Sequence, residues 1–183
     1  MVLNRVESGN GIVVFDVETT GLSPLHGHRI IEVGAVRLDA GSVQSEFYSL
    51  IDCGGPLPKN AQRVNGITDD MLIGQPAPET VFPDFRSFIG NACLVAHNAK
   101  FDRMFLRHEF ARLGWGLPNR VHCTLRLSRQ RIPYLPNHRL ETVFRYLGGI
   151  VDDLVRWHRA LDDARMAAFV WKRLERRADT VQH

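Results

Sequence analysis

Two acidic residues, Asp16 and Glu18, follow directly on an apolar run and are the first candidates for chemistry in this sequence. In an extended chain, side chains at positions i and i+2 point to the same face. Two like charges at the rim of a central sheet repel each other unless a positive charge lies between them. The pair therefore predicts either a cation-binding site or two carboxylates that are merely solvated at a strand end.

A third acid, Asp102, stands in the first turn of a predicted helix. Leu106, Phe110 and Leu113 share its helical stripe, so Asp102 heads a row of side chains that faces inward. An acid in a first turn also complements the helix dipole. The pattern therefore fits a functional carboxylate and a purely structural one equally well.

A fourth acid is found near the start of the last predicted helix. Asp163 is followed at helical spacing by Ala167, Val170 and Leu174, which places it on the buried face. Its neighbour Asp162 heads a less buried row. The helical phase therefore favours Asp163 over Asp162.

His158 precedes Asp163 by five residues. Five helical steps rotate the chain by roughly 500°, so the two side chains cannot share one face of a single helix. If both serve one site, His158 must lie on the loop or the fraying turn before the helix. A single histidine is otherwise a common surface or core residue.

Together the four acids and His158 are suited to metal-dependent cleavage of a phosphodiester. Four carboxylates carry about four negative charges, which two divalent cations would neutralise. A set of hard oxygen ligands without cysteine selects Mg²⁺ or Mn²⁺ over zinc. Two such ions can clamp a phosphodiester, and a histidine with a pKa near neutrality is suited to take a proton from the attacking water.

The elements that must position these residues follow from periodicity and turn signals. Apolar, β-branched or alternating runs predict strands at residues 11–16, 29–38, 42–51, 92–96 and 120–124, with a hairpin turn at 39–41. Helical spacing predicts helices at 79–90, 99–113, 124–130, 139–147 and 160–177, with Thr68 and Asn98 as N-caps of helices. Three meandering strands followed by alternating helices and strands predict an α/β or α+β sheet covered by helices.

The bulk composition is that of one globular domain, expected over residues 1–183 with its core at about 11–177. The chain has 183 residues, a formal net charge of +3 and three cysteines in no zinc-ligand spacing. It lacks an apolar run of membrane-spanning length and the apolar core of a signal peptide, so we expect a cytoplasmic protein without a membrane partner. No phosphate-binding loop, dinucleotide fingerprint or serine nucleophile elbow is present, which excludes those enzyme classes.

Three segments resemble the motifs of the DEDDh exonuclease family, and within it those of the proofreading epsilon subunits of bacterial DNA polymerase III and their relatives. They are FDVETTG (15–21), HNAKFD (97–102) and HRALDDA (158–164), here called the first, second and third motifs. The resemblance implies an RNase H-like fold, a five-stranded mixed sheet flanked by helices. It also implies that Asp16, Glu18, Asp102 and Asp163 bind two Mg²⁺ or Mn²⁺ ions and that His158 is the general base.

The same resemblance implies a pocket for the 3′-terminal nucleotide. Its lining would comprise Thr19, Thr20, Gly21, Leu22 and Phe101. Backbone and apolar contacts of this kind hold a sugar and a base without reading the identity of the base. In the segment VNGIT (64–68), Asn65 stands where the proofreading group commonly has histidine, so Asn65 is a further candidate for substrate binding.

Several arginines between the second and third motifs, with Tyr134 among them, offer either a track for a phosphate backbone or an ordinary solvated surface. They are Arg126, Arg129, Arg131 and Arg139. The resulting hypothesis is a metal-dependent 3′→5′ exonuclease that releases nucleoside 5′-monophosphates from single-stranded or frayed DNA. The alternatives are an exoribonuclease that trims RNA 3′ ends and a non-catalytic module that binds nucleic-acid ends. Because little chain follows the third motif, we expect at most a loose association with a DNA polymerase.

Overall fold

The computed structural model describes residues 11–150 and 159–179, and within these one mixed sheet carries the architecture. Its five strands lie in the order β3-β2-β1-β4-β5. The strands are β1 (Ile12–Thr19), β2 (Ile30–Asp39), β3 (Ser42–Leu50), β4 (Cys93–Ala96) and β5 (Val121–Cys123). The pairs β1–β2 and β2–β3 are antiparallel, whereas β1–β4 and β4–β5 are parallel.

The antiparallel half of the sheet is a meander that the sequence predicts well. The turn between β2 and β3 consists of Ala40 and Gly41, both with positive φ, 46° and 79°. Such a two-residue turn matches the right-handed twist of the flanking strands. The parallel half needs crossover connections, and the helices between the strands supply them.

Helices cover both faces of this sheet. In the described residues they are α1 (Lys59–Asn65), α2 (Asp69–Leu72), α3 (Pro78–Ile89), α4 (Ala99–Arg112), α5 (Thr124–Arg131), α6 (Leu140–Tyr146) and α7 (Ala160–Asp179), with a 3₁₀ turn at Pro24–His26. Helix α1 was not predicted, because it has seven residues and begins after a run rich in proline and glycine. Thr68 and Asn98 occupy the N-cap positions predicted for them, but neither side chain makes a capping hydrogen bond.

The two largest apolar clusters, one on each face, hold most of the helices to the sheet. On one face Val13, Phe15 and Val17 of β1 pack against side chains of α3 and α4, among them Phe85 and Phe105. On the other face α5, α6 and α7 pack over Val14, Val36 and Val95. Burial of large apolar side chains is the main stabilising term for such a layered domain. None of the described helices combines the length and the apolarity needed to cross a membrane.

Candidate active site

The site forms where β1 continues beyond its parallel neighbour. Strand β1 pairs with β2 over its whole length, but it pairs with β4 only from Ile12 to Val14. Asp16 and Glu18 therefore lie on a part of β1 whose other edge is not paired with β4. Strand β1 extends to Thr19, beyond the predicted end at residue 16, so Glu18 as well as Asp16 lies within the strand.

The period of two along β1 decides which face these acids occupy. Val14 belongs to the cluster that packs against α7, and Asp16 and Glu18 follow it at alternate positions. Both carboxylates therefore point toward α7. Antiparallel pairing sets Glu18 opposite Glu32 of β2, so a third acid shares that face.

Helix α7 brings Asp163 to the same place. Carboxylate oxygens of Asp16, Glu18 and Asp163 lie within 4.8 Å of one another, and among the described residues this is the group that could hold a metal ion. Asp162 instead accepts a hydrogen bond at 2.9 Å from Arg165. The structure thus agrees with the helical phase, which favoured Asp163 over Asp162.

Asp102 lies in the first turn of α4, with a residue exposure of 3%. It is outside the group of three whose oxygens fall within 4.8 Å, yet its charge raises the pKa of Asp16. Helix α4 packs on the opposite face of the sheet from α7. Asp102 therefore approaches the site from the other side, past the end of the β1–β4 pairing.

Burial and mutual repulsion raise the pKa values of these acids. Burial is the largest cause in each case, and it raises the pKa of Asp16 well above its ordinary value. Burial followed by the charge of Asp163 raises the pKa of Glu18 to about 9. Burial raises the pKa of Asp102 to about 7, although backbone hydrogen bonds of Asp102 and Val17 oppose the rise. In the protein alone, the charged forms of these carboxylates are therefore strongly disfavoured.

The donor set fits divalent cations. The converging ligands are carboxylate oxygens, which suit Mg²⁺ or Mn²⁺. The charges of neighbouring acids add to burial in raising the pKa values of Asp16 and Glu18. Bound cations would supply an opposing positive charge. The cluster therefore has both the ligands and the electrostatic character of a metal site.

His158 lies outside the described residues. The residue that follows it, Arg159, is described, and α7 begins at Ala160. The part of the third motif that the structure describes thus runs from Arg159 to Ala164.

The exonuclease family model matches residues 13–170, which contain all three motifs. The chain belongs to the exonuclease family. Over 162 residues it is 44% identical to the PolC-type DNA polymerase III of Halalkalibacterium halodurans, and this match covers 87% of the chain and 11% of the relative. The exonuclease chain thus spans about a tenth of the length of such relatives.

Solved structures agree with the fold of this exonuclease. Exonuclease X in complex with 5′-overhanging duplex DNA is similar with a TM-score of 0.75 and 25% identity, covering 92% of the chain and 93% of that structure. Exonuclease I of E. coli in complex with a dA16 oligonucleotide has a TM-score of 0.79 at 18% identity, covering 94% of the chain and 42% of that structure. The sheet and its flanking helices are therefore RNase H-like, as the sequence predicted.

The segment predicted to hold a terminal nucleotide has its side-chain hydroxyls already engaged. Thr19 donates a hydrogen bond to the carbonyl of Gly21 at 2.7 Å, and the Thr20 hydroxyl accepts the Arg29 N–H at 3.0 Å. A Cβ at Gly21 would lie 2.5 Å from the His28 ring, so glycine allows the ring to lie against the loop. Leu22 is 84% exposed. Backbone groups and Leu22 are what this loop offers to a ligand.

Asn65 is buried at 4% exposure and both ends of its amide are used within the protein. Its Nδ2 donates to the carbonyl of Thr19 at 3.3 Å, and its Oδ1 accepts the Ile67 N–H at 3.0 Å. Asn65 therefore supports the loop at Thr19, and its predicted contact with a substrate stays a prediction. Phe101 is half-buried, with its ring centroid 4.9 Å from that of Phe105.

The predicted phosphate track is only partly a free surface. Arg126, Arg129 and Arg139 are exposed, whereas Arg131 is half-buried. The Tyr134 hydroxyl lies 2.6 Å from that of Tyr146. A role for these residues in binding nucleic acid stays a prediction.

A buried carboxylate beside the site was not predicted from the sequence. Glu32 is fully buried in β2 and is bound by Arg159, the second residue of the third motif. One signal was available, because IIEVGAV (30–36 within β2) is an apolar strand run interrupted by a charge and a glycine. A buried charge requires a partner, and an interior strand glycine commonly marks a close backbone approach.

Proposed function

We propose that this exonuclease hydrolyses the terminal 3′ phosphodiester of single-stranded or frayed DNA in the 3′→5′ direction, releasing nucleoside 5′-monophosphates. The observation that carries the proposal is the convergence of Asp16, Glu18 and Asp163 within 4.8 Å, with Asp102 close enough to alter the pKa of Asp16. A cluster of acids facing a polyanionic substrate would weaken binding unless cations are held between them. The arrangement suits metal-dependent hydrolysis and not simple binding.

Asp16, Glu18, Asp102 and Asp163 would hold two Mg²⁺ or Mn²⁺ ions. When bound, such ions lower the pKa of water and stabilise negative charge on phosphate oxygens. Bound cations would favour the ionised forms of Asp16, Glu18 and Asp102, whose pKa values are raised by burial and by neighbouring acids. His158, by its place in the third motif, is the proposed acceptor of the proton that leaves the attacking water.

The terminal nucleotide would be held by the loop at residues 19–22. The hydroxyls of Thr19 and Thr20 are engaged within the protein, so backbone groups and the exposed Leu22 would make the contacts. Such contacts fit a sugar and the face of any base, which suits removal of nucleotides irrespective of sequence. Asn65 would act here through the Thr19 carbonyl that it hydrogen-bonds.

DNA is the preferred substrate class in this proposal. The PolC-type relative is a DNA polymerase, and the similar exonuclease X structure contains duplex DNA with a 5′ overhang. A duplex with a 5′ overhang presents a recessed 3′ end, which is compatible with attack at 3′ termini. A loose association with a DNA polymerase is a further part of the proposal.

The decisive test uses two neighbouring aspartates as a matched pair. A 5′-labelled single-stranded DNA oligomer is digested with Mg²⁺ or Mn²⁺, beside a sample with EDTA. Asp163→Asn should lower turnover by about a thousandfold or more, because it removes a proposed cation ligand. Asp162→Asn should stay within about fivefold of the wild type, because its partner is an exposed Arg165. Equal activity of the two variants would contradict the site assignment.

The direction and the substrate are tested with the same oligomer. A ladder that shortens from the 3′ end, with a 3′-phosphorothioate terminus blocking it, supports 3′→5′ hydrolysis. Competition between matched DNA and RNA oligomers measures the preference for deoxyribose, since a 2′-hydroxyl is what distinguishes the two. Binding of DNA or RNA without hydrolysis in either metal would overturn the catalytic proposal.

A further inference from the structure

Glu32 is a carboxylate with no exposed surface in the middle of β2. It lies opposite Glu18 in the antiparallel pairing and shares the face that α7 covers. An ionised carboxylate removed from water costs several kcal/mol unless it is paired and hydrogen-bonded. A residue of this kind beside a cluster of acids that repel it requires a physical explanation.

Both oxygens of Glu32 are bound by the residues at the start of α7. The Arg159 Nε donates to Oε1 at 2.8 Å, and an Arg159 Nη2 lies 2.7 Å from the same oxygen. The backbone N–H of Ala160 donates to Oε2 at 3.1 Å. Arg159 also donates to the hydroxyl of Tyr48 on β3. The Arg159–Ala160 segment is thereby fastened to two strands of the sheet.

A close backbone contact fixes the same turn. At Gly34, two residues along β2, an added Cβ would lie 2.2 Å from the backbone N of Leu161. The first turn of α7 therefore lies directly against the backbone of β2. Asp163 follows Ala160 by three residues, about 4.5 Å along the helix axis, and meets the acids of β1. Any shift of this first turn moves Asp163 by a similar distance.

We propose that Glu32 and Arg159 form a positioning pair, which sets the start of α7 against the β1 carboxylates so that Asp163 is placed for turnover. The proposal rests on the proposed function. Glu32 would not be a cation ligand, because Arg159 and Ala160 occupy both of its oxygens. Arg159 also neutralises a charge that would otherwise add to the repulsion within the acid cluster.

The chain offers a matched control pair at the start of the same strand. Glu109 of α4 is buried at 2% side-chain exposure and accepts two hydrogen bonds from Arg29, at 2.7 and 2.8 Å. Arg29 and Arg159 are similarly exposed, 21% and 20%. Glu109→Gln therefore disrupts a buried pair of the same chemistry without touching the third motif. It measures what loss of such a pair does to stability alone.

The variants are Glu32→Gln, Arg159→Gln, Arg159→Lys and the double Gln variant, each compared with Glu109→Gln at a temperature where all are folded. Glu32→Gln and Arg159→Gln should lower kcat by between about tenfold and a hundredfold, with KM for the oligomer nearly unchanged. The double variant should be no worse than the poorer single variant, because the two residues act as a unit. Arg159→Lys should recover only part of kcat, since lysine keeps the charge but not the planar fork. Glu109→Gln should lose stability but little kcat.

A second measurement does not depend on turnover. Mn²⁺ alone is titrated while the melting temperature is followed, since an ion that binds the folded state stabilises it. The Mn²⁺-induced rise should be smaller in Arg159→Gln than in the wild type and of wild-type size in Glu109→Gln. If the wild type binds Mn²⁺ yet does not degrade DNA, the proposed function fails and the positioning proposal is still decided by this titration.

Two outcomes would overturn the proposal. A folded Arg159→Gln variant with wild-type kcat and a wild-type response to Mn²⁺ would show that the pair only stabilises the fold. An increase in KM with unchanged kcat would show instead that Arg159 binds the nucleic-acid backbone. Either result would separate Arg159 from the geometry of the third motif.

Discussion

Replacement of Asp102 by asparagine should stabilise the protein when no metal is bound. Asp102 is buried in the first turn of α4, and burial raises its pKa to about 7 from an ordinary value of 3.8. That difference corresponds to about 4 kcal/mol of disfavour for the charged form above pH 7. The asparagine side chain would remove the charge and keep an oxygen that can accept a backbone hydrogen bond. We therefore expect Asp102→Asn to gain up to about 4 kcal/mol at pH 8.

The assay is thermal or urea unfolding at pH 8 in EDTA, with wild type and variant side by side. For a chain of this size each kcal/mol shifts the melting temperature by about 2–4 °C. Saturation with Mn²⁺ should reverse the order, because the wild type gains more from a cation that it binds more tightly. Asp162→Asn is the matched control and should change stability by less than about 1 kcal/mol, since its ion pair with Arg165 is partly exposed to solvent.

The pH dependence of the free energy of unfolding tests the same reasoning. In EDTA, lowering the pH from 7 toward 3.8 protonates Asp102 in the folded state while the unfolded state stays ionised. The free energy of unfolding of the wild type should therefore rise relative to that of Asp102→Asn, and the advantage of the variant should shrink. A variant that is less stable than the wild type in EDTA at pH 8 would refute the electrostatic reasoning.

Three further predictions concern residues around the site. Gly34→Ala should destabilise the fold by about 3 kcal/mol or more in urea unfolding, because its Cβ would lie 2.2 Å from the backbone of α7, whereas Gly116→Ala, with open space around it, should be nearly neutral. Glu109→Gln should cost about 3 kcal/mol in the same assay by leaving Arg29 without its carboxylate, and an unchanged urea midpoint would contradict this. Burial lowers the pKa of His97 to about 4 from 6.5, so the unfolded state binds the proton first as the pH falls. Between pH 6.5 and 4 the wild type should therefore lose about 3 kcal/mol relative to His97→Gln, and parallel pH profiles would disprove the assignment.

Local patterns were sufficient to predict most of the fold. The alternation in β2 and β3, the Ala40–Gly41 turn and the helical stripes of α3, α4 and α7 are all signals that act within a few residues. Helix α1 was missed because its local signal is short and follows Pro58. The strand β1 was predicted too short because Asp16 and Glu18 interrupt its apolar run, although both belong to it.

The buried ion pairs depend on long-range contacts and could not be predicted in the same way. Glu32 and Arg159 are separated by 127 positions, and Arg29 and Glu109 by 80. Nothing local to either residue specifies its partner, since a strand glutamate and a helix-start arginine are each compatible with solvent. The sequence indicated only that a partner exists, because a charge inside an apolar strand run must be paired somewhere.

The buried ion pairs stabilise the fold, whereas the acid cluster destabilises it when no cation is bound. The cluster places mutually repelling carboxylates where the protein itself disfavours their charge. Two buried ion pairs oppose this effect. Glu32 of β2 binds Arg159 at the start of α7, and Arg29, the residue before β2, binds Glu109 of α4. Both pairs stabilise the fold, but it is Glu32–Arg159 that contacts the third motif, which carries Asp163. A site that repels itself can keep its geometry without cations only if a contact of this kind holds its elements in place.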